Sequence, residues 1–159
     1  MARYLQVLCI GRVLAAAWLL SHLALPFANA HDAKSRGQTI YLPIYSAIQH
    51  SWPRELDLTV TLSLRNLDPK QTVTIRAVDY FDTGGEKKKS LIEGRISLAP
   101  YAATQLVIKR QDFRGDIGAN AIVQWEAQSS VLPLLAEAIM IGSDGVQGFS
   151  FSSRGVVVE

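Results

Sequence analysis

The chain has 159 residues, of which 48% are hydrophobic, 16 are basic, 14 are acidic and one is a cysteine. This length and composition suit one globular domain and exclude a disordered, collagen-like or disulfide-stapled protein. The formal charge of +2 favours nucleic-acid or membrane-surface binding only if the excess charge belongs to the folded part.

The first thirty residues have the three-part pattern of a secretory signal peptide. Arg3 and Arg12 precede an apolar run from Val13 to Leu25, and Ala28-Asn29-Ala30 supplies the small residues that a signal peptidase recognises. A retained membrane anchor is the weaker alternative, because a membrane-spanning helix needs about 20 apolar residues. We predict a signal peptide over 1–30, cleavage after Ala30, a periplasmic or secreted product and no remaining membrane span.

Cleavage would change the charge and the redox chemistry of the protein. Cys9, Arg3 and Arg12 all lie in the removed segment, so the mature chain has no cysteine and equal numbers of basic and acidic residues. A neutral domain gives no reason to expect nucleic acid as a partner. A chain of this size can be stable without a disulfide if it builds one core. We expect a disordered mature N-terminus over 31–37 and a folded domain over 38–159.

Strand and turn signals alternate along the mature chain. Apolar residues occupy every second position from Leu56 to Leu64, which predicts a strand with one buried face. Turn residues at 66–70 then predict a hairpin to a second strand over 71–81. The phase of the apolar residues changes near Ala77 and Val78, which predicts a β-bulge there.

The remaining strands are predicted from the same signals. Thr39–Tyr45 contains Pro43, so this strand should lie at an edge or carry a bulge. Leu134–Ile141 is apolar on both faces, and its length and flanking residues favour a central strand over a short helix. Shorter strands are expected at 89–92, 95–98, 104–110, 119–127 and 149–158.

The seven to nine short strands, without an amphipathic helix, predict an all-β fold. Their close spacing requires antiparallel pairing, because a parallel crossover needs a dozen or more residues. We expect a single antiparallel β-sandwich of the immunoglobulin or fibronectin type, with a closed barrel as the alternative.

The candidate ligand site is the loop predicted from Ser46 to Glu55. His50, Trp52 and Arg54 lie in this loop and Tyr45 precedes it. Aromatic and charged side chains on a loop are typical of a binding surface. Trp125, on the alternating face of a strand, is expected to pack in the core instead.

Cleavage after Ala30 would make His31 the N-terminal residue, which suggests an alternative function. The amine and ring nitrogen of an N-terminal histidine can chelate Cu(II) together, and His50 would supply a further ligand. This arrangement resembles some secreted copper-handling and polysaccharide-oxidising β-sandwich proteins. The competing interpretation is a frayed, solvated N-terminus with no cofactor.

Asp82-Thr83-Gly84 is the tripeptide that carries the catalytic carboxylate of aspartic proteases. That chemistry needs two carboxylates sharing a proton, so a hydrolase would have to dimerise around Asp82. A hairpin turn, in which Asp82 binds nearby amides and the glycines bend the chain, is the favoured interpretation. No other pattern of nucleophile and base emerges, so we expect a protein that is not an enzyme.

Lys87, Lys88 and Lys89 form the one basic cluster of the mature chain. Lysines beside a turn are typical of a sheet edge that is protected against strand addition. A site for a polyanion is the alternative.

Several segments together resemble a bacterial exported family, domain of unknown function family 3124. They are Tyr41–Ser46, Leu58–Lys70, Val78–Gly84 and Gly118–Trp125, with the endings 140–142 and 148–155. The resemblance extends from Gly37 to Val158. It implies a secreted or periplasmic β-domain, and it supplies no established activity or catalytic residues to carry over, since the shared positions can equally hold turns and core.

These observations together predict an exported, non-catalytic binding or interaction module, and a periplasmic protein is the expected kind of partner. We expect the module to present loops, or an edge strand to which a partner adds its own strand. Copper binding by His31 and His50 is the first alternative, and a dimeric hydrolase at Asp82 is the second.

Overall fold

A computed structural model of the protein describes residues 33–51, 53–109 and 117–159. These residues form twelve strands and no helix, which confirms the all-β prediction. No helix in the described parts is therefore long and apolar enough to cross a membrane. The strands are β1 (Ser35–Pro43), β2 (Ala47–Ser51), β3 (Arg54–Asp57), β4 (Thr59–Arg65), β5 (Val73–Phe81), β6 (Lys87–Ser90), β7 (Ile96–Leu98), β8 (Ala103–Ile108), β9 (Asn120–Val131), β10 (Leu135–Asp144), β11 (Gln147–Arg154) and β12 (Val156–Val157).

The strands form two larger antiparallel sheets and one separate hairpin. Sheet I has the order β12-β1-β9-β5-β6, and β7 also pairs with β5. Sheet II has the order β11-β10-β4-β8, and β2 pairs with β3 alone. The predicted antiparallel β-sandwich is confirmed. The strands are more numerous than the expected seven to nine because four of them, β3, β6, β7 and β12, have four residues or fewer.

The core lies between the two sheets, since buried side chains from both form one cluster. Each apolar side chain that alternates from Leu56 to Leu64 is buried, as predicted. Trp125 of sheet I is 2% exposed, which confirms its place in the core. Burying a large apolar side chain stabilises a fold by about 1.5–3 kcal/mol, so each position of this alternation contributes to the stability of the core.

The predicted bulge lies in β5. Ile75 pairs with Trp125 and Ala77 pairs with the next residue back along β9, Gln124, so Arg76 is an extra residue in the ladder. Ile75 and Val78 on either side of the bulge are buried, whereas Arg76 is exposed. The bulge therefore directs Arg76 to the outer face of sheet I while the core pattern continues.

Two further strand predictions are confirmed. β10 pairs with β11 on one side and with β4 on the other, so it is central. Pro43 ends β1 and pairs with Asn120 of β9, while β12 reaches only Ile40 and Tyr41 on the other side. Pro43 therefore lies where β1 is an edge, as a residue without an amide proton requires.

The predicted hairpin between β4 and β5 is wrong. β4 belongs to sheet II and β5 to sheet I, so residues 66–72 cross from one sheet to the other. Asn66 is 1% exposed, and its Nδ2 donates to the carbonyl oxygens of Gln71 at 2.8 Å and Ala99 at 3.0 Å. A buried amide between two segments holds the chain in a corner, and turn residues alone do not distinguish this corner from a hairpin.

The first strand begins earlier than the sequence predicted. Residues 35–37 belong to β1, although we expected disorder over 31–37. The reason is pairing with β9, in which Ser35 lies opposite Val131 and Gly37 lies opposite Glu126. Residues 1–32, which include the predicted signal peptide and His31, lie outside the described residues.

Candidate functional site

The segment predicted as a ligand-binding loop is largely a hairpin. β2 and β3 pair from Ala47 to Asp57, so the loop prediction for Ser46–Glu55 is wrong. The cause is apolar pairing, because Ile48 lies opposite Leu56 and both pack against the core.

The predicted site residues near this hairpin contact different partners. The half-buried Tyr45 ring packs edge-on against Phe151, with ring centroids 5.7 Å apart. Arg54 is exposed, and its Nη2 donates to Oδ1 of Asp144 at 3.2 Å. Trp52 and the side chain of His50 lie outside the described residues. A site that joins all four residues stays a prediction.

The copper hypothesis rests on two histidines that the structure does not describe in full. His31 is outside the described residues, and only the backbone of His50 is described, in β2. Among the described side chains, no group of three or more His, Cys, Asp and Glu is placed to hold a metal ion. Copper binding by His31 and His50 therefore stays a prediction.

Asp82 forms the hairpin turn that the sequence favoured. Its Oδ1 accepts a hydrogen bond from the amide of Glu86 at 2.9 Å, and Gly85 has the positive φ of 79° that such turns need. The Lys88 ammonium, which bonds the carboxylate, lowers the pKa of Asp82 below its usual value. The catalytic dyad needs a second carboxylate that shares a proton with the first, whereas the described partners of Asp82 are an ammonium and an amide, so this environment favours the turn over the hydrolase.

Two of the three lysines of the basic cluster are paired with carboxylates. Lys87 Nζ lies 2.8 Å from Asp79, and Lys88 Nζ lies 2.8 Å from Asp82 and 2.7 Å from Glu86. The three lysines lie in β6, at one edge of sheet I. The predicted protected edge is confirmed, and the neighbouring carboxylates weaken the case for a polyanion site here.

A different basic cluster lies on the outer face of sheet I. Arg95 Nη1 lies 2.8 Å from Oε1 of Glu126, and Arg76 Nε lies 3.4 Å from Oε2 of the same carboxylate. On the neighbouring strand β1, Arg36 Nη2 donates to the backbone carbonyl of Gln128 at 2.6 Å. We call Arg36, Arg76, Arg95 and Glu126 the arginine cluster.

Gly37 lets β1 and β9 approach closely beside the carboxylate of this cluster. It lies opposite Glu126 across β1 and β9, and a Cβ at this position would lie 2.8 Å from the backbone oxygen of Trp125. Only glycine permits so close an approach of two backbones. The close packing of the two strands at this point therefore requires glycine at position 37.

Three surface hollows share the residues of the arginine cluster. The largest, which we call the basic groove, has a volume of about 780 Å³ and is lined by Arg36, Lys70, Thr72, Thr74, Arg95 and Glu126, among others. A second of about 520 Å³ includes Arg36, Arg76 and Glu126, and a third of about 180 Å³ includes Arg76 and Arg95. Each arginine of the cluster therefore borders two of these three hollows.

Fold stability does not explain why these charges gather. The side chains of Arg95 and Arg76 are 64% and 50% exposed, and that of Glu126 is 39% exposed. Ion pairs this exposed contribute only about 0–1 kcal/mol. Three cations and one carboxylate line the basic groove, so its charge is positive although the predicted mature chain is neutral. Such an excess attracts anions.

Sequence reasoning did not single out the basic groove. Its residues come from distant parts of the chain, and the hydrogen bond from Arg36 to Gln128 joins residues 92 positions apart. The alternation of strands does place Thr74 and Gln124 on an outer face, but it does not show that β1, β9 and β5 are neighbours. The pairing order was the missing information.

The comparison with protein families decides the classification. A family model described as "Protein of unknown function (DUF3124)" matches residues 37–158, which is most of the chain. The chain belongs to the DUF3124 family. The resemblance predicted from the sequence is confirmed, and the family's description assigns no activity to its members.

No curated protein matches this DUF3124 chain. Among solved structures, the chain is similar to the crystal structure of Thermotoga maritima 1070, with 11% sequence identity and a TM-score of 0.46. The match covers 75% of this chain and 92% of the Thermotoga maritima chain.

Proposed function

We propose that this DUF3124 protein is an exported, non-catalytic binding module that holds its ligand in the basic groove. The observation that carries the proposal is the carboxylate of Glu126 shared by Arg76 and Arg95 beside a hollow of about 780 Å³. Concave surfaces with a few convergent polar groups are the usual form of ligand sites. The signal-peptide pattern of residues 1–30 supports a location in the periplasm or outside the cell.

The arginine cluster is held in place before any ligand arrives. Glu126 holds two guanidinium groups, and the carbonyl of Gln128 holds Arg36. Arg76 and Glu126 project from paired strands of one sheet, which is a rigid support. Arg36 is already ordered by a backbone carbonyl and therefore loses less entropy on binding, which favours affinity.

The chemistry of the lining favours binding over catalysis. The residues that line the basic groove include no histidine and no cysteine, and their one carboxylate is engaged by two arginines. General acid–base or nucleophilic catalysis needs a group that is free to take up or release a proton. The groove is therefore better suited to hold a ligand than to transform it.

A probe panel tests the groove directly. The protein, produced from the full-length gene, is exposed to dextran, polygalacturonate, polyglutamate and inorganic phosphate, and binding is followed by calorimetry. We expect at least one acidic probe to bind, and the double variant Arg36→Gln/Arg95→Gln to lose that binding. The matched control is Arg65→Gln/Arg154→Gln on sheet II, which should bind as the natural protein does. Equal binding by the groove variant and the control would contradict the proposal.

Export is tested separately by fractionating cells that express the full-length chain. The protein recovered from the periplasm or medium should begin at His31 when its N-terminal sequence is determined. A cytosolic product that retains Met1 would show that this part of the proposal is wrong.

One edge strand of sheet II, β8, favours a second candidate function, strand addition by a partner protein. Among the described residues, β8 pairs with β4 alone, and none of its six residues is charged or a proline. Val107 in this strand is 52% exposed. An edge strand without charges offers its free backbone groups to another strand.

A lysine in β8 tests this second candidate. We expect Val107→Lys to abolish capture of a partner from periplasmic extract, because it gives β8 the protection that β6 already has. Ile141→Lys is the matched control, since Ile141 is 55% exposed but lies in the central strand β10. Equal loss of capture in both variants would point to a face of sheet II instead of its edge.

A further inference from the structure

We propose that the ligand of the basic groove is an acidic polysaccharide whose uronate carboxylates replace Glu126 on Arg76 and Arg95. This inference rests on the proposed function of the groove and adds the chemical class of the ligand. It follows from the two arginines that are paired with Glu126, from the uncharged residues that line the groove and from the arginines that the three hollows share.

The structure already contains a carboxylate in the position that a ligand would take. The two oxygens of Glu126 lie 2.8 Å from Arg95 Nη1 and 3.4 Å from Arg76 Nε. Guanidinium groups match the planar geometry of a carboxylate better than ammonium groups do. Because the side chains of Glu126, Arg76 and Arg95 are all partly exposed to solvent, a ligand carboxylate can reach both arginines and displace Glu126.

The uncharged lining of the groove suits a carbohydrate. Hydroxyl and amide groups come from Gln71, Thr72, Thr74 and Gln128, whereas Ala127 is the one aliphatic residue in the lining. Such groups donate to and accept from sugar hydroxyls. A protein ligand would instead need an apolar pocket for an anchoring side chain, and this lining provides none.

The arginines that the hollows share suit a polymer with repeated carboxylates. Arg36 borders the first and second hollows, Arg76 borders the second and third, and Arg95 borders the first and third. Glu159 also lines the second hollow, and Asp79 and Glu93 line the third, so the excess of basic side chains lies in the basic groove itself. A uronate chain in this groove presents carboxylates to Arg36 and Arg95 at the same time. Linked contacts of this kind raise the overall affinity well above that of each single contact.

Calorimetric titration with polygalacturonate tests the ligand class. We expect it to bind to the protein made from the full-length gene, and we expect the fully methyl-esterified polymer to bind at least tenfold more weakly, because esterification removes the charge but keeps the sugar chain. Dextran sulfate and polyglutamate are the competing probes. Equal binding of dextran sulfate would show general attraction of polyanions, and tighter binding of polyglutamate would show a peptide ligand. Either result overturns the inference.

Variants of the arginine cluster test the replacement of Glu126. Arg95→Gln should weaken polygalacturonate binding about tenfold, Arg95→Lys should restore part of it, and Arg65→Gln on sheet II should change nothing. Glu126→Gln should strengthen binding severalfold, because the two arginines no longer have an internal carboxylate to release. Weaker binding by Glu126→Gln would show that Glu126 orients the arginines. The proposal that the ligand displaces Glu126 would then be wrong.

Two further results separate this inference from the proposed function. Thermal unfolding of every variant is measured first. Binding affinities are then compared only among variants whose midpoint temperature of unfolding matches that of Arg65→Gln. If phosphate or polyglutamate binds at the groove and polygalacturonate does not, the ligand class is wrong and the groove remains a binding site. If Arg36→Gln/Arg95→Gln changes the binding of no probe, both proposals are wrong.

Discussion

Two turns of this protein contain an aspartate, and the sequence predicted a hairpin at both. The turn at Asp82 does connect β5 to β6 within sheet I. The turn at Asn66 and Asp68 instead carries the chain from sheet II to sheet I. Turn residues therefore show where a strand ends, but they do not show which sheet the next strand joins.

The backbone and carboxylate of Asp82 make local interactions. The Asp82 amide donates to the carbonyl of Glu86, the Asp82 carbonyl accepts from the amide of Gly85, and the carboxylate bonds the Glu86 amide and the Lys88 ammonium. Every one of these partners lies within six positions of Asp82 along the chain. The neighbouring Thr83 differs, since its hydroxyl oxygen accepts from the amide of Gly118, 35 positions away. A substitution of Asp82 itself disturbs the contacts of one hairpin at the edge of one sheet.

The Asn66–Asp68 corner joins distant parts of the chain. Asn66 Nδ2 lies 3.1 Å from the carbonyl oxygen of Leu98, which ends β7, and Asp68 Oδ2 lies 3.3 Å from the amide of Leu132, which follows β9. The connections from β4 to β5, from β7 to β8 and from β9 to β10 all pass between the sheets here. One pair of polar side chains thus fixes three crossings.

The largest effect is expected from Asn66→Ala. Loss of the side chain leaves the carbonyl oxygens of Gln71, Leu98 and Ala99 and the amide of Asp68 without this partner in a place that water reaches poorly. The side-chain amide has two protons to donate and accepts one hydrogen bond, so at about 1 kcal/mol for each of these three bonds the free energy of unfolding should fall by about 3 kcal/mol. Urea denaturation measures the change. Asn66→Asp is the control that keeps the acceptor for Asp68, and a loss below about 1 kcal/mol in Asn66→Ala would contradict the role of the corner.

Asp68→Asn is expected to destabilise the protein less than Asn66→Ala, and to do so in a pH-dependent way. The hydrogen bond from the Lys70 amide is the main reason that the pKa of Asp68 lies below the ordinary value of 3.8. The ionised carboxylate therefore stabilises the fold above pH 3.8, and this contribution is lost as the pH falls through the lowered pKa. Urea midpoints of the two proteins should differ at neutral pH and converge in acid. A difference that does not depend on pH would show that the lost bond to Leu132 outweighs the charge.

Asp82→Asn should have a smaller effect that salt removes. Its pKa is lowered chiefly by the hydrogen bond from Lys88, so the sign is the same: the stabilisation is present above the unfolded pKa and lost in acid. This pair is partly exposed to solvent, and at about 1 M salt the screening length is only about 3 Å. Denaturation at low and high salt should show the effect of Asp82→Asn shrinking while that of Asp68→Asn persists. Equal salt dependence would remove the distinction between the two turns.

The same contrast between local and distant interactions explains what the sequence predicted. The buried positions from Leu56 to Leu64, the bulge at Arg76 and the turn at Asp82 depend on nearby residues, and each prediction is confirmed. The corner at Asn66 depends on a segment 32 positions away, and its prediction is wrong. The basic groove needs the order of β1, β9 and β5 in sheet I, so no local pattern indicated that Arg36, Arg95 and Glu126 would meet.

The smallest effect is expected from Tyr101→Gly, in the second of the three crossings. Tyr101 has a φ of 59°, a left-handed conformation that is unfavourable for a residue with a Cβ, and its side chain is 73% exposed. Glycine removes this strain, but it also raises the conformational entropy of the unfolded chain, which opposes folding. The net stabilisation should therefore be below about 1 kcal/mol. The matched variant is Gly85→Ala in the Asp82 hairpin, where φ is 79° and alanine should destabilise by about 1 kcal/mol. Urea denaturation should therefore give opposite signs for the two changes. A loss of stability in Tyr101→Gly would mean that the tyrosine ring contributes more to the crossing than its backbone conformation costs.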